Sequence, residues 1–245
     1  MAGHSKWAKV KHFKGAIDAK RARIFAKLSR EIAIAARLGG GDPDMNARLR
    51  MVLLKCRAAN MPTDNIERAV KRGVGGEDAS QYVDLTYEIY GPGGVALLVE
   101  LSTDNRNRTA AEIRSILTKN GGSMATSGSV TRLFKRQGQI IVARDAAAED
   151  RLMEIALDAG AEDFKSDAEG FEILTEPGRF EEVHRKIEAA GIRCLAAEVS
   201  QIPTLNVLMD EAAVVAAGRL VEAIEDHDDV KEVYTNAEFP GEGDA

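Results

Sequence analysis

The sequence predicts an α+β protein of three domains: an N-terminal helical domain and two small α/β domains of ferredoxin-like type, the third inserted in the second. Three observations predict this. Apolar residues recur at three- and four-residue spacing in the first third of the chain and switch to strict alternation at Val83. A Gly-rich stretch, GVGGEDA from Gly73 to Ala79, marks the change of period as a linker. The last helix and strand need a sheet to complete, and the economical solution returns them to the sheet begun at Val83. The boundaries that follow are 1–76 for the helical domain, 77–137 with 203–245 for the second, and 138–202 for the third.

In the helical domain, the spacing predicts a first helix over Ala19–Leu38. Ile24, Leu28, Ile32 and Ala35 form its apolar stripe with Phe25 beside them, and Lys20, Arg23, Lys27, Arg30 and Arg37 fall opposite. Gly39-Gly40-Gly41 ends it. Asp42 reads as the N-cap of a second helix with Pro43 at its first position, and Leu49, Val52, Leu53, Cys56 and Ala59 as its buried face. Asn60-Met61-Pro62 breaks the chain. A third helix follows, with Asp64 and Glu67 at capping-box spacing, Ile66 and Val70 inward, and Gly73 as its stop.

Val83, Leu85, Tyr87 and Ile89 alternate, as do Val95, Leu97, Val99 and Leu101, with GPGG (Gly91–Gly94) between: a hairpin with one buried face. Thr103-Asp104-Asn105 reads as a capping cluster before a helix through Ile113, Ile116 and Leu117, which stops at Asn120-Gly121-Gly122. Val130 to Phe134 reads as a short strand. From Gln139 to Ile202 the order is strand, helix, strand, helix, strand, with strands at Ile140–Ala143, Phe171–Thr175 and Leu195–Ile202. The helices centre on Leu152-Ile155-Leu157 and Phe180-Val183-Ile187. A helix over Glu211–Asp226 and a strand over Val230–Thr235 close the pattern.

Composition narrows the function classes. The 245 residues are 44% hydrophobic and 29% charged but only 5% aromatic, so cores must be built from aliphatic side chains. Cys56 and Cys194 stand far apart with no CxxC near either, which offers neither a zinc site nor a redox pair. No apolar segment reaches about 18 residues, so no membrane partner is expected. A basic start with no apolar region behind it argues against a secretory signal, and the cytoplasm is the expected compartment. His4, His12, His184 and His227 form no HExxH or paired ligand spacing, and no GxSxG occurs. No metal, no cofactor and no enzymatic activity are expected.

Charge is the informative signal. Residues 1–30 carry nine Lys or Arg against one acid, Asp18, a local net of +8. Residues 1–75 hold 17 basic and 6 acidic side chains, a net of +11, whereas residues 76–245 hold 16 and 33, a net of −17. A basic module for a polyanion on an acidic body fits this division. A charge run is ordinarily a solvated helix face, but this one has almost no acids with which to pair. The candidate nucleic-acid contacts are Lys6, Lys9, Lys11, Lys14, Lys20, Arg21, Arg23, Lys27 and Arg30, with Trp7 and His12 as interleaved rings able to stack on bases. Trp7 reads equally as an apolar anchor for the arm. In TDNRNRT (Thr103–Thr109), Arg106 and Arg108 fall in a first helical turn, where cations oppose the helix dipole. That placement points to an acidic neighbour on the same chain or to a secondary anionic contact. GPGG lacks the Lys-Ser/Thr of a P-loop and reads as a plain turn.

An ordered set of motifs gives the chain a resemblance. MAGHSKW, Asp18-Ala19-Lys20-Arg21, Asn65-Ile66-Glu67-Arg68-Ala69 with Lys71-Arg72-Gly73, Tyr87-Glu88-x-Tyr90-Gly91-Pro92-Gly93-Gly94-Val95-Ala96 and TDNRNRT occur in this order along essentially the whole chain. The sequence resembles the YebC/PmpR family, whose mitochondrial relative is the translational activator of cytochrome c oxidase. Phe13 departs from the polar or basic residue expected there. The resemblance implies the three-domain layout and a DNA-binding transcriptional regulator. Its alternative is a translation factor on ribosomal or transfer RNA that helps elongation through stretches such as proline runs. A protein partner on the acidic α/β domains is a third class.

Overall fold

The computed structural model describes residues 21–75 and 82–238, and these fall into two compact units: 82–135 with 203–238, and 21–75 with 136–202. Among the described residues three helices come first: α1 (Arg21–Gly39), α2 (Ala47–Ala58) and α3 (Thr63–Gly75). Leu28, Ile32 and Ala35 of α1 meet Leu49, Val52 and Cys56 of α2, Ala69 of α3 and Met61 in one core. Helix ends differ from the sequence reading at three places. The first is α3, which opens at Thr63, so that Asp64 lies inside its first turn and forms no capping box with Glu67. Asn46, not Asp42, caps α2: its Oδ1 accepts from Leu49 N at 3.0 Å, while its Nδ2 donates to the Ala35 and Gly40 carbonyls at 2.8 Å each. A buried cap that must also donate has to be an amide, and a carboxylate cannot do it. Asp42 instead closes a local turn by accepting from Asp44 N. Gly73 does not stop α3, which runs on to Gly75. It is buried, and a Cβ there would drive into the Ala33 carbonyl oxygen and lie 2.8 Å from Ala36 Cβ. Gly73 lets α3 approach α1 at backbone contact.

The chain continues through β1 (Val83–Tyr90), β2 (Ala96–Thr103), α4 (Arg106–Lys119) and β3 (Ser123–Met124). Next come β4 (Phe134–Ala143), α5 (Glu149–Asp158), β5 (Asp163–Ser166), β6 (Gly170–Thr175), α6 (Phe180–Ala189) and β7 (Cys194–Pro203). Last are β8 (Val207–Leu208), α7 (Glu211–Glu225), β9 (Val230–Thr235) and β10 (Ala237–Glu238). The first sheet has the order β3-β1-β2-β9, so the final helix and strand do return to the hairpin. β1 pairs antiparallel with β2 from Val83↔Thr103 to Tyr90↔Ala96, and β2 pairs antiparallel with β9. Alternation sends Leu97, Val99 and Leu101 to a core with Ile113 and Leu117 of α4 and Leu220 and Ile224 of α7. Ala96, Leu98 and Tyr234 face the other way and are covered by Val130 and Phe134. That is why 130–134 does not extend as a strand throughout: Thr131–Leu133 is a 3₁₀ turn laid on the sheet, and only Phe134 begins β4.

In the other unit the chain order is β-α-β-β-α-β and the sheet order β5-β6-β4-β7, with β4/β6 and β5/β6 antiparallel. Ile140, Val142, Phe171 and Ile173 face Leu152, Ala156, Phe180, Val183 and Ile187. β5 (DFKS) is an edge strand of two exposed and two half-covered residues with no alternation to betray it. The three helices belong to the same unit because α2 has a second apolar side: Met51 and Leu54 pack against this sheet's core. Beside them Arg50 Nε and Nη2 donate to the two Glu181 carboxylate oxygens at 3.1 and 3.3 Å. His184 on α6 stacks parallel on Phe180 at 5.7 Å. Burial pushes its pKa down, and Arg57 of α2 adds to that against the pull of Glu188.

Gly73→Ala should lower the unfolding free energy by about 1–3 kcal/mol through forced separation of α1 and α3. Gly75→Ala, with nothing within 4 Å, should leave it unchanged or slightly raised. Urea unfolding of the two variants checks this.

Candidate nucleic-acid interface

Of the residues proposed from sequence, Lys6, Trp7, Lys9, Lys11, His12, Lys14 and Lys20 lie outside the described residues. Arg21 opens α1. Arg23 is exposed, while Lys27 and Arg30 are half-buried on the flank of the helix rather than fully presented. The basic character continues beyond them: residues 21–75 hold 12 Lys or Arg and 5 Asp or Glu. α1 and α2 have no acid in their first turns. Lys71 and Arg72 on α3 are exposed, and among the described residues neither meets a carboxylate. A selection confined to residues 1–30 misses them, although the net of +11 over residues 1–75 already counts them. Arg50, by contrast, is taken up by Glu181.

The TDNRNRT segment divides its two arginines. Asn105 is the N-cap of α4, with its Oδ1 accepting from Arg108 N at 3.1 Å, so neither Thr103 nor Asp104 caps the helix. Thr103 is buried, accepts from Asn105 N, and its hydroxyl lies 2.8 Å from Thr109 Oγ1. Arg108 Nη2 donates to Asp229 Oδ2 at 2.8 Å and lies 3.0 Å from Asp104 Oδ1. Thr109 Oγ1 donates to the same Asp229 oxygen at 2.7 Å. The dipole conflict of Arg108 is thus answered inside the chain by a carboxylate just before β9. Burial pushes the Asp229 pKa up, but the hydrogen bonds from Arg108 and Thr109 and the Arg108 charge outweigh it and hold it below its ordinary value of 3.8. Arg106 has no such partner: its guanidinium is exposed and meets no carboxylate among the described residues.

A second carboxylate does similar structural duty. Glu88 on β1 accepts from Gly128 N and Val130 N at 2.7 Å each and Thr131 N at 2.8 Å. Three converging amides are the makings of an anion nest, and here the chain's own side chain fills it. Burial raises the Glu88 pKa, but the three amides more than reverse this and leave it below 4.5. The GPGG segment is a 3₁₀ turn, Pro92–Gly94, with positive φ at Gly93 and Gly94. Burial drives the Cys56 and Cys194 thiols up to about 11 and about 12, so both stay protonated. Among the described residues no three His, Cys, Asp or Glu side chains group to hold a metal ion, and no helix is long and apolar enough to cross a membrane.

The family models described as "TACO1/YebC protein N-terminal domain" and "TACO1/YebC second and third domain" match residues 5–76 and 82–237. The chain belongs to the TACO1/YebC family. Its relatives include a "probable transcriptional regulatory protein" of Rubrobacter xylanophilus, 50% identical over 99% of this chain and 97% of that protein. Proteins of the same name in Halothermothrix orenii and Treponema pallidum are 51% and 47% identical, each over 99% of this chain, and covered over 97% and 99% of their own length. Among solved structures, a conserved hypothetical protein of Aquifex aeolicus is similar with a TM-score of 0.83 and 42% identity, over 98% of this chain and all of that one. The TACO1/YebC match thus spans both the basic helices and the two sheets that follow them.

Glu88 and Asp229 both have folded pKa values below their ordinary ones, so the unfolded chain takes up protons first as pH falls. Their stabilisation is present above about pH 4.5 and is lost as pH drops through and below 3.8. Glu88→Gln and Asp229→Asn should therefore be less stable than the parent at neutral pH, with the gap closing in acid. Urea unfolding across a pH series measures that gap.

Proposed function

We propose that this chain is a regulatory protein that binds nucleic acid, gripping the phosphate backbone with its basic helical module, and that it acts as a DNA-binding regulator of transcription. The observation that carries this reading is the division of charge: +11 over residues 1–75 against −17 over the rest. Such a division supports a polyanion-binding surface on the basic part of the molecule. The names of its relatives support the regulatory role. The three-domain layout belongs to the same reading: residues 1–76 make the main contact, and the α/β domains over 77–137 with 203–245 and over 138–202 are open to protein partners and to a secondary anionic contact. No catalytic step, metal or cofactor is part of it.

Lys and Arg on helix faces read backbone rather than bases, so affinity should depend steeply on salt. Contacts to six to eight phosphates give a slope of log affinity against log salt of about −5 to −7. Replacing Lys6, Lys9, Lys11 and Lys14 with Gln should flatten that slope by about 3 to 4 on duplex DNA. Binding of the quadruple variant with unchanged slope would sink the arm as the contact. Footprinting on genomic DNA at physiological salt, set against co-sedimentation with ribosomes, decides the physiological polymer. A sequence-selective footprint without ribosome association supports transcription, and the reverse result moves the reading to translation.

A further inference from the structure

Beside the first sheet stand three side-chain donors, Tyr87 of β1 and Arg106 and Arg114 of α4, that no group among the described residues takes up. Tyr87 lies at an odd position of β1 and packs half-buried on the helix side of the sheet. Across α4, the buried residues Thr109 and Ile113 define the inward line. Arg108 and Glu112 lie on one flank of that line and reach Asp229 and His227, which precede β9. Positions 110 and 114 fall about 100° to the other side of it, toward β1 and away from β9. Arg114 is on this flank, and Arg106 stands in the first turn below it. Both guanidiniums are exposed, and neither forms an ion pair or hydrogen bond among the described residues. The Tyr87 hydroxyl also lacks a partner there, unlike that of Tyr90, which donates to the Ser129 carbonyl.

We infer that Tyr87, Arg106 and Arg114 form a second phosphodiester site, separate from the basic helical module, on the same nucleic acid. Two uncompensated cations and a phenol, with no carboxylate among them, match an oxyanion and offer nothing to a cation or a neutral acceptor-free group. Both arginines act electrostatically on Tyr87, whose pKa is nonetheless raised because burial outweighs them. The hydroxyl therefore keeps its proton and can donate. Arg108, adjacent in sequence, is excluded because Asp229 and Asp104 already hold it. The open flank of α4 and the closed one are thus distinguished by which cation the chain has neutralised.

This inference rests on the nucleic-acid reading above, and the test separates the two. Full-length protein is titrated by fluorescence anisotropy with a 20-nucleotide single-stranded DNA, the RNA of the same sequence and a 20-base-pair duplex, over a range of salt. Arg106→Ala with Arg114→Ala should flatten the salt slope by about 1.4 on the single strands and about 1.8 on the duplex. Arg106→Lys with Arg114→Lys should keep the slope, because the charge remains. Tyr87→Phe should weaken binding about two- to tenfold with the slope intact. Should the alanine pair unfold early, Arg106→Gln with Arg114→Gln is read in its place. An unchanged slope in the alanine or glutamine pair overturns the site, as does a lysine pair as defective as the alanine pair. Loss confined to one of the three polymers also overturns it, since phosphodiesters are common to all. If the Lys6/Lys9/Lys11/Lys14 variant alone loses slope, the arm stands and this site falls; if only the arginine pair does, the reverse holds. Absence of binding by the parent protein to every probe overturns both.

Discussion

Burial of α2 from two sides is the constraint on which the unit of residues 21–75 and 136–202 depends. Leu49, Val52 and Cys56 serve the helical core, while Met51 and Leu54 serve the core of the second sheet. A helix apolar on two sides keeps only a narrow polar stripe, here Arg48, Lys55 and Arg57, so its sequence looks weakly amphipathic. Magnitudes decide what holds it. Fully burying a Leu or Met side chain is worth about 1.5–3 kcal/mol, whereas an exposed ion pair such as Arg50–Glu181 is worth about 0–1. Apolar contact supplies the adhesion, and the bidentate pair fixes the register of α2 against α6. The functional consequence is that the basic helices are carried on a body with a sheet of its own. On the proposed reading, they do not have to organise themselves on a polyanion.

The same economy of charge runs through the first sheet. Two carboxylates with depressed pKa values, Glu88 and Asp229, hold backbone or side-chain donors that would otherwise be free. Glu88 fills a nest of three amides and pins the 128–131 turn over the far face of the sheet. Asp229 joins the first turn of α4 to the start of β9 through Arg108 and Thr109. Anions inside the chain are therefore matched to donors with structural roles. Cations left without such a match, Arg106 and Arg114 among them, stand out against that background.

Periodicity made the elements legible; their ends were not. The 3.6 and 2.0 periods located the described helices and the long strands because apolar spacing is a property of the segment itself. Asp42 and Asn46 are both good caps locally, and only the need to donate to Ala35 and Gly40 singles out Asn46. Gly73 carries the ordinary mark of a helix stop, yet it is required by Ala33 on another helix. β5 escaped because two half-covered residues between two exposed ones leave no alternation to find. At the candidate site the limits are the same. The excess of basic residues was visible in the count, but the partition of Arg106 from Arg108 was not, because Asp229 lies 121 residues away from Arg108.

Phosphate contacts alone do not make a regulator, since they carry no sequence information. On the proposed reading their value is geometric: two sets of contacts on one strand would turn the second binding step into an intramolecular one. With effective concentrations of the order of millimolar, a second contact too weak to be seen alone still lengthens residence once the first is made. Under that arrangement selectivity need not come from base edges. It can come from whether a given nucleic acid presents phosphates where both contacts can engage at once, which is a reading of shape and path. A basic module held on a folded body, and a few cations left unmatched among the described residues on a separate helix, suit that kind of reading better than a single recognition helix would.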